Sequence, residues 1–266
     1  MSGHGTLGAL LATGALALAG CGGEEEREPA SGSGGGAAEK PQLTVSAAAS
    51  LKQAFTAYGQ RFAEGSARFS FAGSDELAAQ IEQGVKPDVY AAANTKLPDQ
   101  LYDNGLVEKP TVFAGNRLVL AVPAEDAKVS SLRDLEGEDV DLAIGAKDVP
   151  VGSYTRTVLD KLPARRSKAI LANVRSEEPD VGGITGKLTQ GAVDAGFLYL
   201  SDVRGTAGEL EAIELPDDLQ PSVAYGVAVV KGAKQPEAAK AFIAGLLDGP
   251  GAQALEDAGF EPPPAR

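Results

Sequence analysis

From residue 42 onward, short apolar runs alternate with segments whose apolar residues recur at helical spacing. That alternation restricts the chain to α/β layers, helices packed on largely parallel sheets. Leu43 to Ser46 reads as a first strand, and Leu51, Ala54, Phe55, Tyr58 and Phe62 follow it on one helix face. Arg68 to Phe71 and Val89 to Ala92 read as further strands, with Leu77, Ala78 and Ile81 marking the helix between them. "NTKLPDQLYDNGLV" reads as a helix that stops at Asn104-Gly105, a typical left-handed exit. After "NRLVLAVP" (116–123) the rhythm restarts. Apolar runs at 141–146, 168–174 and 195–200 alternate with a helix from about Ser153 to Leu162 and a glycine-rich one from Val181 to Gln190. "SVAYGVAVVKG" (222–232) is another long strand, followed by helices over "PEAAKAFIAGLL" and from Pro250 to Ala258.

The chain has 266 residues, 43% of them hydrophobic, which suffices for two lobes. An economical path leaves the first lobe near Asn116, builds the second, and returns near Tyr225. The expected division is residues 42–116 and 225–266 for lobe 1 and 117–224 for lobe 2, joined by two crossover strands.

The N-terminal segment is of another kind. An apolar run from Leu7 to Ala19 leads to Leu18-Ala19-Gly20-Cys21, which resembles a bacterial lipoprotein cleavage signal with Cys21 as the acylated residue. The charged start of such a signal is missing, with only His4 there. Residues 22–41 are Gly/Ser-rich and acidic, so they read as a flexible tether. Cys21 is the one cysteine and His4 the one histidine, and both fall outside the body. The net charge is −13, which argues against a nucleic-acid partner.

Two turns carry small residues and a hydroxyl. In "LTVSAAASLKQAF" an apolar run passes through Ala47 to Ala49 to Ser50, and "SLKQ" has the pattern of a capping box. In "FSFAGSDELAAQI" a strand turns through Gly73, read here as permitting an unusual backbone angle, to Ser74. Each serine could simply cap its helix. Alternatively, two hydroxyls and two sets of free helix amides would face one crevice and hold an anion there. Asp75, in the first turn, opposes an anion unless it points away. Asp88 in "KPDVY" reads as a carboxylate capping a turn. With no histidine or free cysteine in the body, a Ser-His-Asp or Cys-His mechanism has no base, and neither a phosphate-binding loop nor a metal-ligand spacing occurs. A serine-dependent enzyme is a minor alternative.

Several blocks then fall into a familiar order: "TVSAAASLKQAF", "FAGSDELAAQIEQGVKPDVYAAAN", "FAGNRLVLAVP", "LAIGAKDVPVGSYT", "AGFLYLSDV" and "YGVAVVKGAKQPEAAKAFIAGLLDGPGAQALEDAGF". Over residues 42 to 260 the chain resembles the molybdate-binding proteins of bacterial ABC importers. The resemblance implies a type II periplasmic-binding-protein fold, with two mostly parallel α/β lobes closing on an oxyanion. It implies a non-catalytic monomer without cofactor that captures molybdate or tungstate and delivers it to an ABC permease and its ATPase outside the cytoplasm. Matched position by position, the ligand residues are Ser50, Ser74, Val151, Val181 and Tyr199. Where the family has "VPAG" this chain has "VPVG", placing Val151 at the alanine, and "EEPDVGGITGKL" around Val181 departs further from the family pattern. Receptors for sulfate or another small anion are the alternative within the same class.

Overall fold

The computed structural model describes residues 40–264. The expected signal with Cys21, and the tether as far as residue 39, lie outside the described residues. The first sheet contains β1 (Gln42–Ala48), β2 (Ser66–Ala72), β3 (Val89–Ala92), β4 (Thr111–Asn116) and, from far along the chain, β10 (Val223–Val229). Their order is β2-β1-β3-β10-β4. The second holds β5 (Leu118–Pro123), β6 (Leu142–Gly145), β7 (Val174–Glu178), β8 (Ala195–Tyr199) and β9 (Leu210–Glu214), in the order β7-β6-β8-β5-β9.

Two α/β lobes are therefore present, but each sheet is mixed where a mostly parallel one was expected. β1 pairs in parallel with β2 and β3, while β10 runs antiparallel to β3 and β4. In the second sheet β6 is parallel to β7 and β8, and β5 is antiparallel to β8 and β9. The antiparallel pairings arise because β5 and β10 arrive from the opposite sheet. β4 ends at Asn116 and β5 starts at Leu118, so Arg117 alone spans that passage; its guanidinium lies 3.1 Å from Glu214 at the end of β9.

Helices α1 (Lys52–Arg61), α2 (Ser74–Glu82), α3 (Lys96–Asp103), α8 (Pro236–Leu247) and α9 (Pro250–Asp257) flank the first sheet. The second is flanked by α4 (Pro150–Asp160), α5 (Ala164–Ala172), α6 (Val181–Thr189) and α7 (Leu200–Arg204). α3 ends as its sequence predicts, with Gly105 at φ +74°. The run at 168–174 is not a strand: Pro163 starts a helix, Ile170 is its buried contact, and the strand follows at Val174. In that segment charged residues bracket the apolar ones closely, so the short run misleads. Strands β3, β6 and β8 are buried along their whole length, as strands covered on both faces are. Under the first sheet Phe55 and Phe242 meet edge to face at 5.6 Å, and α8 buries Ala239, Phe242 and Leu246 while Leu247 stays exposed. Among the described residues no helix is long and apolar enough to cross a membrane.

Asp88 is a structural residue. Its carboxylate accepts the Thr44 backbone N–H at 2.8 Å, the Thr44 hydroxyl at 2.9 Å and the Gln235 N–H at 2.8 Å, tying the starts of β1, β3 and α8 together.

Candidate functional site

Strand ends from both lobes meet around a small cavity, and Ser50, Ser74, Val151, Val181 and Tyr199 all line it. Ala48 and Ala49 line it too, whereas Ala47, expected there as well, packs into the core.

Neither serine caps its helix. A 3-10 turn over Ala49–Leu51 sits between β1 and α1 and puts Leu51 at the helix N-cap, so the box with Gln53 does not form. The Ser50 hydroxyl lies instead 2.9 Å from that of Tyr225. Ser74 is the first residue of α2, with Gly73 at the N-cap. Its Oγ accepts the Ala93 N–H at 3.0 Å, and its carbonyl accepts the Tyr90 hydroxyl at 2.7 Å. Both clamps fix Ser74 against β3 and leave its own proton for the cavity.

Val151 follows Pro150 in the first turn of α4, where backbone amides have no partner within the helix. Val181 opens α6, whose N-cap is Asp180: the carboxylate accepts the Gly183 N–H at 3.1 Å. Three helices of 9, 11 and 9 residues, α2, α4 and α6, thus begin at the cavity and turn their positive ends toward it.

Tyr199 ends β8. Its ring is buried and its hydroxyl has no hydrogen-bond partner among the described residues, which is costly for a polar atom at that depth. Burial, reinforced by nearby Tyr225, Tyr154 and Asp202, raises its pKa well above the ordinary phenol value, so it keeps its proton and serves as a donor. Among the described residues no Lys, Arg or His lines the cavity, and Asp180 is the one charged residue there. Asp75 stands beside it in the first turn of α2, one carboxylate oxygen buried without a partner among the described residues. Among the described residues no group of His, Cys, Asp and Glu is placed to hold a metal ion.

Gly73 has φ −57° and ψ 137°, an ordinary extended conformation and not the unusual angle expected of it. A glycine is needed for another reason: a Cβ there would stand 2.6 Å from the carbonyl oxygen of Pro179, across the cavity in the other lobe.

Asp202, beneath the site, accepts the Tyr199 N–H at 3.0 Å, and burial pushes its carboxyl up to about 7. Because the folded pKa lies above the unfolded one, stability falls as pH rises from about 4 to about 7, and the full penalty persists above that window. Asp202→Asn, which retains an acceptor, should therefore raise the melting temperature at pH 8 by roughly 5 °C or more and leave it nearly unchanged at pH 4. Paired thermal scans at the two pH values check this.

Asp180 and Pro179 carry no mark in the sequence reading, and Asn116 and Tyr225 enter it only as the crossover points between lobes, not as site residues. Tyr225 lies 175 residues from Ser50, and only the return of β10 into the first sheet brings them together. Asp180 could have been found, since an Asp directly before a helical run is an N-cap signal.

A two-lobed fold whose strand ends and helix starts surround a small cavity of neutral donors defines a receptor that clasps a small ligand between its lobes. The chain belongs to the family of bacterial extracellular solute-binding proteins, which its residues 43–261 match. It is 34% identical over 97% of both chains to "Molybdate-binding protein ModA" of Mycobacterium tuberculosis. It is 30% identical to the protein of that name from Escherichia coli, covering 75% of this chain and 81% of the relative. The fold matches the periplasmic molybdate-binding protein of Azotobacter vinelandii with a TM-score of 0.75 at 19% identity, covering 84% of this chain and all of the other.

Proposed function

We propose that this protein captures molybdate, and tungstate with it, outside the cytoplasm and delivers the ion to an ABC permease and its ATPase. One observation carries the reading: Tyr199 lines the cavity with a buried hydroxyl that has no hydrogen-bond partner among the described residues, and the other polar groups there are chiefly hydroxyls and helix amides. Such a set suits an oxyanion that has lost all its protons, as molybdate has near neutral pH. Ser50, Ser74 and Tyr199 supply hydroxyl donors, and the starts of α4 and α6 supply the amides of Val151 and Val181. A hydrogenphosphate brings a proton that needs an acceptor, and burying it unpaired costs about 1–3 kcal/mol. The ion is cargo, and the chain works without catalysis and without a cofactor, as a monomer. Cys21 carries the lipid that holds it to the membrane; diacylglyceryl at Cys21 in the mass spectrum tests that part.

Asp180 favours a second reading. A carboxylate at the cavity gives an anion that carries a proton one acceptor, so a receptor for another small anion is the competing assignment, with sulfate, which carries none, competing on size alone. Calorimetric titration with molybdate, tungstate, sulfate and phosphate separates the two. Molybdate and tungstate should bind far more tightly than sulfate and phosphate; absence of heat with molybdate, or equal affinity for sulfate, would overturn the first reading. Ser74→Ala should weaken molybdate binding by roughly 10- to 100-fold, the worth of one hydrogen bond to a charged group.

A further inference from the structure

One buried polar cluster behind the cavity has no part in the site as described so far. Tyr225 is fully buried in β10 and does not line the cavity, yet its hydroxyl is 2.9 Å from Ser50 Oγ. On its other side stands Asn116, where the chain leaves the first sheet. The Asn116 Nδ2 lies 2.8 Å from Ser201 Oγ and 3.5 Å from the Tyr225 hydroxyl. Its Oδ1 accepts the Arg117 backbone N–H at 2.9 Å.

These contacts fix the direction of each bond. With its oxygen engaged by Arg117, the Asn116 amide turns its NH2 toward Tyr225 and Ser201, and an NH2 group only donates. Toward Asn116 the phenol therefore accepts. Among the described residues the one acceptor in hydrogen-bond reach of the phenol proton is Ser50 Oγ. The opposite polarity would bury a phenol proton with no acceptor, which folded proteins avoid. Having accepted from Tyr225, Ser50 keeps its own proton for the cavity.

We infer that Tyr225, oriented by Asn116, is a positioning residue that commits Ser50 to donating and so makes the site select oxyanions that carry no proton. The inference rests on the anion-binding reading proposed above. A serine hydroxyl without such a neighbour can rotate, donating to a bare oxyanion or accepting from a protonated one. With Tyr225 donating to it, the Ser50 proton has no other place to go than the ligand. The relay also runs across the lobe junction, since Tyr225 belongs to the first sheet and Ser201 to α7 beside the second.

The test is Tyr225→Phe in the full chain, titrated calorimetrically with molybdate and with phosphate at neutral pH, alone and in a Ser50→Ala background. The molybdate-to-phosphate affinity ratio should narrow several-fold, molybdate affinity falling and phosphate affinity holding or improving, because Ser50 keeps its proton but is no longer committed to pointing it into the cavity. In the Ser50→Ala background Tyr225→Phe should change neither. Equal weakening of both anions, or an undiminished loss without Ser50, would overturn the relay while leaving the molybdate reading intact. A wild-type chain that binds no molybdate would instead overturn that reading. If Tyr225→Phe does not fold, judged by its melting curve, Asn116→Ser carries the same test. That variant removes the amide that orients the phenol, and it should narrow the molybdate-to-phosphate ratio in the same direction; an unchanged ratio would overturn the relay.

Discussion

Gly73→Ala is expected to abolish most of the protein's affinity for its anion, by about 100-fold or more, while each lobe keeps its fold. The added Cβ would stand 2.6 Å from the Pro179 carbonyl oxygen and 2.9 Å from Asp75 Oδ1, closer than nonbonded atoms approach. Asp75 is a side chain and can turn aside. Pro179 is backbone at the end of β7, leading into α6, and the contact is relieved only if the lobes move apart. Separated lobes leave the ion with half of its donors, and each lost charge-assisted bond is worth about 1.5–3 kcal/mol, so two or three account for the fall. Titration gives the affinity, and small-angle scattering in the presence of molybdate should report a larger radius than the wild type. Unchanged affinity would show that Pro179 yields without cost.

Asp88→Ala should have the largest effect on stability. Three donors converge on that buried carboxylate, and truncation strands the Thr44 and Gln235 amides without acceptors. Hydrogen bonds to a charged group contribute about 1.5–3 kcal/mol each, so a loss of about 4 kcal/mol follows once partial hydration is allowed for. For a chain of this size that is a drop of roughly 10 °C in melting temperature. Asp88→Asn keeps an acceptor for two of the three donors and should recover part of the loss. Chemical denaturation of the three proteins checks the order. Anion affinity should change little at temperatures where the variants remain folded, because Asp88 lies at the opposite ends of β1 and β3 from the cavity.

Much of this architecture was legible because buried strands and amphipathic helices have different periods, and in β3, α2 and α8 the sequence obeys one period cleanly. β4 was missed where "TVFAGN" mixes small and polar residues and runs almost without a break into β5. The short helix α7 begins directly where β8 ends, with no break between their patterns, and the glycines of the turn after it mark the turn but not β9 beyond it. Ser50 and Ser74 were legible as hydroxyls at strand-to-helix turns, yet what each one bonds was not. A cap is a local contact and can be read from spacing. The actual partners, Tyr225 and the Ala93 amide, are brought in by sheet order, which spacing does not encode. Gly73 shows the same limit: its glycine is demanded by a residue of the other lobe, not by its own backbone angle.

The two sheets share one wiring diagram. Each places its second strand at the edge, its first beside it, its third next, then the strand by which the chain arrives from the other lobe, and its fourth outermost. β1, β2 and β3 therefore correspond to β6, β7 and β8, and the helix starts after β1 and β2 are mirrored by those after β6 and β7. The cavity is then flanked by two versions of the same half-site. A tetrahedral ion has two-fold axes. It can present one pair of oxygens to each lobe, so a single duplicated motif serves both walls, and the sequence is free to vary the donors, hydroxyls on one side and amides with a phenol on the other, without altering the frame.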